Sequence, residues 1–531
     1  MDDTHKLPLP ERSQNLLDEM AQRVIVADGA MGTMLQDAGP TMEDFQGLEG
    51  CNEILNVTRP DIVTAVHAAY FEVGVDCVET NTFGANWSNL SDYDIEERIE
   101  ELAEAGARIA REGAERWEKD DSRQRWVLGS IGPGTKLPSL GHTTYSFLKS
   151  TFERQAEGLL KGGADAFMVE TSQDLLQTKA AINGCKDAMR AAGTRLPLFV
   201  EVTVEATGTM LMGSEINAAL TALEPLSIDM IGLNCATGPQ EMSEHLRQLS
   251  RHSEIPVMVM PNAGLPVLTA TGASYPLGPE ELATAHEQFV KEFGLSLVGG
   301  CCGTTPAHLK AVVDRVGATK IVDRKPVPDP GVASLYQHVS LIQDSSYLAI
   351  GERTNANGSR AFRDAMLEGR LDDCVEIAKK QVRDGAHLLD VCVDYVGRDG
   401  VADIQDIVSR LAQASTLPLV IDSTEPAVIK AGLELIGGRP VVNSVNFEDG
   451  DGPESRFGTV MPLVKEHGAA VIALTIDEEG QARTETDKVR IASRLIDTLV
   501  EEWGLRVEDI IVDCLTFPIA TGQEETRRDA I

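Results

Sequence analysis

No run of apolar residues in the sequence approaches the roughly 20 needed to span a bilayer as a helix. The first ten residues have neither the basic stretch nor the apolar stretch of a secretory signal. Positive charge is scarce: 47 lysines and arginines stand against 83 aspartates and glutamates, a formal net charge of −36. A surface this acidic repels phosphate backbones and anionic lipid heads, so neither nucleic acid nor membrane is expected as a partner; solubility is the plain meaning of the charge. A disulfide framework is missing as well. The nine cysteines are odd in number and lie mostly inside strand-like runs, which points to a cytoplasmic protein with reduced thiols.

What is present suits a tight globular protein: 42% hydrophobic residues, 47 glycines, and 531 residues in all, enough for two or more domains. Short β-branched runs alternate with amphipathic stretches. Eight such runs begin at Arg23, Asp76, Trp126, Ala166, Pro197, Met230, Pro256 and Leu295. Continuous apolar runs closed by turn residues are the pattern of parallel strands buried on both faces. Eight units of roughly 40 residues fit a (β/α)8 barrel. A doubly wound open sheet uses the same strands, but polar chemistry at nearly every strand end favours closure.

After Val316 the pattern stops, and the proline-rich stretch around Pro326, Pro328 and Pro330 reads as a linker. A second series of runs begins at Tyr347, His387, Pro418, Val441, Ala469 and Asp509. The expected fold is therefore α/β, two TIM-type barrels in tandem with only about six strands of the second present, as in a fragment of a longer protein. The domain reading is 1–18 as an N-terminal extension, 19–322 as the first barrel, 323–345 as linker and 346–531 as the truncated second barrel.

Cys235 ends the sixth run, and Cys301 with Cys302 ends the eighth within Gly299-Gly300-Cys301-Cys302-Gly303-Thr304. All three are thus expected at the C-terminal rim of one barrel, where such folds build their active sites. Three thiolates leave the fourth position of a tetrahedral zinc open, and an open zinc lowers the pKa of a substrate thiol. A structural metal or a redox pair would also use adjacent cysteines. Cys51, Cys77, Cys185 and Cys374, each alone, read as small core hydrophobes.

The segments Asp28-Gly29-Ala30-Met31-Gly32-Thr33, Glu79-Thr80-Asn81-Thr82-Phe83, Gly232-Leu233-Asn234-Cys235 and the Gly-Gly-Cys-Cys-Gly turn resemble the homocysteine S-methyltransferase family. They appear in that family's order across the whole first domain. The resemblance implies that Cys235, Cys301 and Cys302 bind a catalytic zinc and that homocysteine is a substrate. A homocysteine pocket must pair an ammonium and a carboxylate. Glu170 is the candidate for the ammonium, with Asp28 and the turn at Gly29 orienting the amino-acid end. The structural alternative makes Asp28 a helix cap and Glu170 a solvated strand end.

The second series ends its strands in carboxylates and amides: Glu352, Arg353 and Asn355, then Asp390 and Asp394, Asp422, Asn443 and Asn446, Asp477, and Asp513. Such a rim suits the donor and acceptor edge of a pterin, and equally a magnesium ion. The segments Gly351-Glu352-Arg353-Thr354-Asn355, Leu389-Asp390, Ile421-Asp422-Ser423 and Val442-Asn443-Ser444 look like the pterin-binding domain of the cobalamin-dependent methionine synthases. That resemblance implies Glu352, Asn355, Asp390, Asp422, Asn443 and Asp513 as folate contacts. The sequence departs from the family at Asp390-Val391-Cys392 and Asp513-Cys514-Leu515, so Cys392 and Leu515 are left out.

The joint implication is methyl transfer from methyltetrahydrofolate to homocysteine through a cobalamin carrier outside this chain, since no Asp-x-His-x-x-Gly segment is present. The alternatives are a corrinoid-independent homocysteine methyltransferase using betaine or S-methylmethionine, and a non-catalytic zinc and pterin binding fragment.

Overall fold

Apolar runs without alternation bury both faces of a strand, and here every such run is a parallel strand in one of two sheets. The computed structural model describes residues 4–269 and 272–516; the start of the N-terminal extension and the last 15 residues of the second domain, 517–531, lie outside the described residues. The chain divides into two compact units, one built on Asp3–Leu220 and Ser227–Pro328, the other on Asp329–Ile531. Among the described residues no helix is long and apolar enough to cross a membrane.

The main sheet of the first unit has eight strands: β1 (Ile25–Val26), β2 (Cys77–Glu79), β3 (Trp126–Ile131), β4 (Ala166–Ser172), β5 (Leu198–Val202), β6 (Met230–Asn234), β7 (Val257–Met260) and β8 (Leu297–Val298). All pair in parallel in the order β1-β8-β7-β6-β5-β4-β3-β2. The ring closes where the Asp76 backbone N–H donates to the Val26 carbonyl at 2.7 Å. The interior is filled by Ile25, Leu128, Met168, Phe199, Met230, Met258 and Leu297. Its bottom is shut by helix α1 (Glu11–Met20), whose Ser13, Leu16 and Met20 are buried at a three-then-four spacing that keeps them on one helical face. Leu16 and Met20 join the barrel core, so the later part of the segment read as an N-terminal extension, from Glu11, belongs to the floor of the barrel. The outer helices α2 (Ile99–Asp121) and α3 (Tyr145–Gly162) approach closely because Gly158 and Gly162 carry no Cβ to strike Glu100, Ala103 and Glu104.

The second unit holds β9 (Ile350–Asn355), β10 (Leu388–Cys392), β11 (Leu419–Asp422), β12 (Val441–Val445), β13 (Ala470–Leu474) and β14 (Ile510–Asp513) in one six-stranded parallel sheet, in chain order. Helices cover its outer face, and the other face packs Leu388, Val420, Val441, Ala470 and Ile472 against Val332. Val332 comes from an antiparallel hairpin, Gly331–Ala333 with His338–Ser340, inside the stretch read as linker. Three-residue strands are too short to show a period, so proline content alone dominated that reading. The fold is α/β, a closed eight-stranded barrel followed by a six-stranded parallel sheet of the same type.

Candidate functional site

The cysteine rim is made by two turns. At the end of β6 the chain enters the left-handed region at Cys235 (φ 57°) and Ala236 (φ 51°). Two successive non-glycine residues there cost on the order of 1 kcal/mol each, a cost such sites tolerate when function needs the direction. The Cys235 N–H is held by the Met260 carbonyl at 3.2 Å, and the Cys301 N–H by that of Pro261 at 2.8 Å. Gly303 (φ 77°) completes the second turn, and a Cβ there would overlap the Tyr275 ring. Thr304 ties this turn to the one after β1: its hydroxyl donates to the Cys301 carbonyl at 2.7 Å and accepts from the Ala30 N–H at 3.2 Å.

The outcome is three sulfur atoms within 4.8 Å of one another, with Cys235 and Cys302 at 3.8 Å. All three cysteines are half-buried and free of disulfides. Hydrogen bonds with Cys235 and then Cys301 hold the Cys302 thiol down to about 3, with a further hydrogen bond from Tyr275. Cys235 goes up to about 12: a hydrogen bond with Cys301 pulls it down, and its bond to Cys302 and burial outweigh that pull. Three converging sulfurs are what a soft divalent cation would bind, displacing their protons.

Beside the sulfurs is a cavity of about 240 Å³ lined by Gly29 to Thr33, Glu79, Asn81, Ser130, Glu170 and Thr171. Glu170 is placed as the sequence suggested. It accepts from the Ser130 hydroxyl and, at 3.3 Å, from the Asn234 amide, and burial pushes its carboxyl up to about 7 against the Ser130 bond. Gly29 lines the cavity; Asp28 does not. Asp28 is fully buried beneath it, with one oxygen accepting from the Glu79 N–H at 3.1 Å. Among the described residues, its other oxygen, one oxygen of Glu79 and both of Glu201 have no hydrogen-bond partner. Burial drives all three carboxyls well above the usual carboxylate range. Sequence reasoning assigned no role to Glu79, Glu201 or Tyr275. An acid ending an apolar run, the signal that found Glu170, was available for Glu79. Tyr275 reaches Cys302 only through tertiary packing.

In the second unit the structure gathers Asn355, Asp390, Asp422 and Asn443 on four adjacent strands, Asn355 and Asp422 at the C-terminal ends and Asp390 and Asn443 midway along theirs. Asn355 Nδ2 donates to Asp390 at 2.8 Å and to Asp422 at 3.1 Å, and Asn443 also bonds to Asp390. Burial, then the charges of Asp390 and Asp394, push Asp422 up to about 7. Glu352 and Asp513 are exposed, on the two edge strands β9 and β14. Asp394 is spent on the Ser423 and Thr424 turn, Asn446 on the Glu448 N–H, and Asp477 on Arg490. Cys392, where the family pattern has an amide, is buried and accepts from the Asn357 side chain at 3.6 Å.

A family model described as homocysteine S-methyltransferase matches residues 25–316, and one described as pterin binding enzyme matches residues 351–531. A methionine synthase of Mycobacterium tuberculosis (strain ATCC 25618 / H37Rv) is 63% identical over 517 residues, 97% of this chain and 43% of that protein. A methionine synthase of Mycobacterium leprae (strain TN) is 60% identical over 522 residues, with the same two shares, 97% and 43%. The chain thus spans less than half the length of these relatives. Among solved structures, the metallated form of the Escherichia coli homocysteine methyltransferase MmuM is 22% identical, covering 57% of this chain and 100% of its own, with a TM-score of 0.47. Its oxidized form is 21% identical over 58% of this chain and 100% of its own, also with a TM-score of 0.47.

Proposed function

The chain belongs to the homocysteine S-methyltransferase family, and we propose that it forms the homocysteine and folate halves of a methionine synthase, working in the cytoplasm with a cobalamin carrier held outside this chain. The observation that carries the reading is the convergence of three sulfurs within 4.8 Å at one barrel mouth. Three soft thiolate donors with a cavity in place of a fourth protein ligand fit a catalytic zinc held by Cys235, Cys301 and Cys302. Bound there, zinc supplies Lewis acidity, lowering the pKa of the homocysteine thiol so that a thiolate is present at neutral pH.

The chain's own residues orient the substrate. Glu170, already directed by Ser130 and Asn234, accepts from the homocysteine ammonium, and Glu79 offers on the same wall a further oxygen that has no partner among the described residues. The turn from Gly29 to Thr33, which lines the cavity, receives the substrate carboxylate. In the second unit Asp390, Asp422 and Asn443 supply acceptors and donors for the aminopyrimidinone edge of methyltetrahydrofolate. The N5 amine is a poor leaving group, which is why the methyl passes through a carrier in two easier steps.

The deciding experiment measures bound zinc and methylcobalamin:homocysteine methyltransferase activity for the wild-type chain and Cys302→Ala. Loss of metal and of turnover together is expected. Turnover that persists with no zinc bound would refute the mechanism.

A further inference from the structure

Asn355, at the end of β9, has every hydrogen-bonding position of its amide in use. Oδ1 accepts from the backbone N–H groups of Asn357 at 2.9 Å and Gly358 at 3.0 Å. Because those two groups can only donate, the amide orientation is fixed. Nδ2 is thereby turned inward, with one hydrogen on Asp390 Oδ2 at 2.8 Å and the other on Asp422 Oδ2 at 3.1 Å. An asparagine amide offers two donor hydrogens and two acceptor lone pairs, so a ligand entering this mouth finds none free.

The two carboxylates it joins stand on adjacent strands, β10 and β11, and like charges this close resist ionising together. The charged and titratable groups facing them are Glu352 from β9, Cys392 from β10, Asp394 from the following loop, and Arg456 from the helix Arg456–His467. Arg456 donates to the carbonyls of Ser423 and Thr424, so it holds the turn after β11. Asn355 is therefore the group that bonds both carboxylates at once.

We propose that Asn355 is a positioning residue: it fixes Asp390 and Asp422 as an acceptor pair for the N–H groups of the pterin ring and does not itself touch that ring. The inference rests on the folate reading above. It changes the role the sequence suggested for Asn355 from contact to splint. Both of its bonds to the carboxylates favour their charged forms, and Asp422 already stands at about 7 with that bond in place. Removing the splint raises the pH needed to ionise the pair, and with it the pH needed to bind the ring.

The test is methyltetrahydrofolate affinity, by titration calorimetry on the intact chain, between about pH 5.5 and pH 9. Wild type is expected to lose affinity as pH falls through about 7. Asn355→Asp keeps the acceptor for the Asn357 and Gly358 turn but loses both donors and adds a charge. Its acid limb should move up by at least one pH unit, so that binding is about tenfold weaker at neutral pH and largely recovered at high pH. Asn355→Ser caps the same turn without the added charge and is expected to move the limb in the same direction by less; should the aspartate variant not fold, the serine variant decides. An equal loss of affinity at every pH makes Asn355 a direct contact and overturns the proposal, as does no change at any pH. Wild type that binds no folate at any pH would instead overturn the folate reading itself.

Discussion

On the proposed reading, Glu170 is the side chain that meets the substrate ammonium. It is buried, it accepts from two neutral donors, and no lysine or arginine pairs with it among the described residues. A buried carboxylate left in that condition is costly, and an arriving ammonium relieves the cost. Glu170→Gln keeps the shape and removes the charge, so the KM for homocysteine should rise about tenfold to a hundredfold, the worth of one charged hydrogen bond. Steady-state kinetics at saturating methylcobalamin reads this directly; an unchanged KM would remove Glu170 from the substrate site. At this scale the sequence was legible where chemistry coincides with a strand end. Cys235, Cys301, Cys302 and Glu170 each close an apolar run, and the structure brings them to one mouth. Asp28 closes a run too, yet its side chain points beneath the cavity, because a strand of two residues does not reveal which way its next residue faces. The double duty of Asn355 was illegible, since it depends on which amide atom meets which neighbour.

Among the elements, helix α1 does more than precede the barrel. Leu16 is fully buried against side chains from the N-terminal ends of the strands, and Trp126 donates its indole N–H to the Arg12 carbonyl at 3.0 Å. Leu16→Ala should cost about 2–5 kcal/mol, the price of a large-to-small change at a site hemmed in by strands. Urea denaturation followed by circular dichroism measures it; a loss below about 1 kcal/mol would mean the floor collapses to fill the gap. Strand order and number were readable because each strand is a continuous apolar run. The two floors, α1 and the hairpin around Val332, were not. Each presents only a few buried residues at a spacing that many surface segments share.

For the whole molecule, acid stability is a balance of opposed groups. His67 and His286 are fully buried, and burial pushes each imidazole down to about 4 from an ordinary 6.5. Their depressed values mean the unfolded chain binds protons between pH 6.5 and 4 that the folded chain cannot, so stability falls as pH falls across that window. Glu170 and Asp422, both raised to about 7, act in the opposite sense: the folded chain holds their protons longer, and stability falls as pH rises toward 7. Among the described residues neither nitrogen of His67 has a hydrogen-bond partner, so His67→Leu isolates one contribution. It should flatten the acid slope by up to about 1.4 kcal/mol per pH unit below pH 6.5. Melting temperatures of variant and wild type at several pH values check this; parallel curves would show that His67 charges freely in the folded state.

The Thr304 hydroxyl bonds the cysteine turn on one side and the Ala30 turn on the other, and the Gly300 N–H, donating to the Asp28 carbonyl at 2.9 Å, joins the same two turns directly. Those turns are about half the chain apart in sequence, yet neither can shift without pulling the other. Removing that hydroxyl, as in Thr304→Val, leaves the Ala30 N–H without the acceptor that now holds it against the cysteine turn.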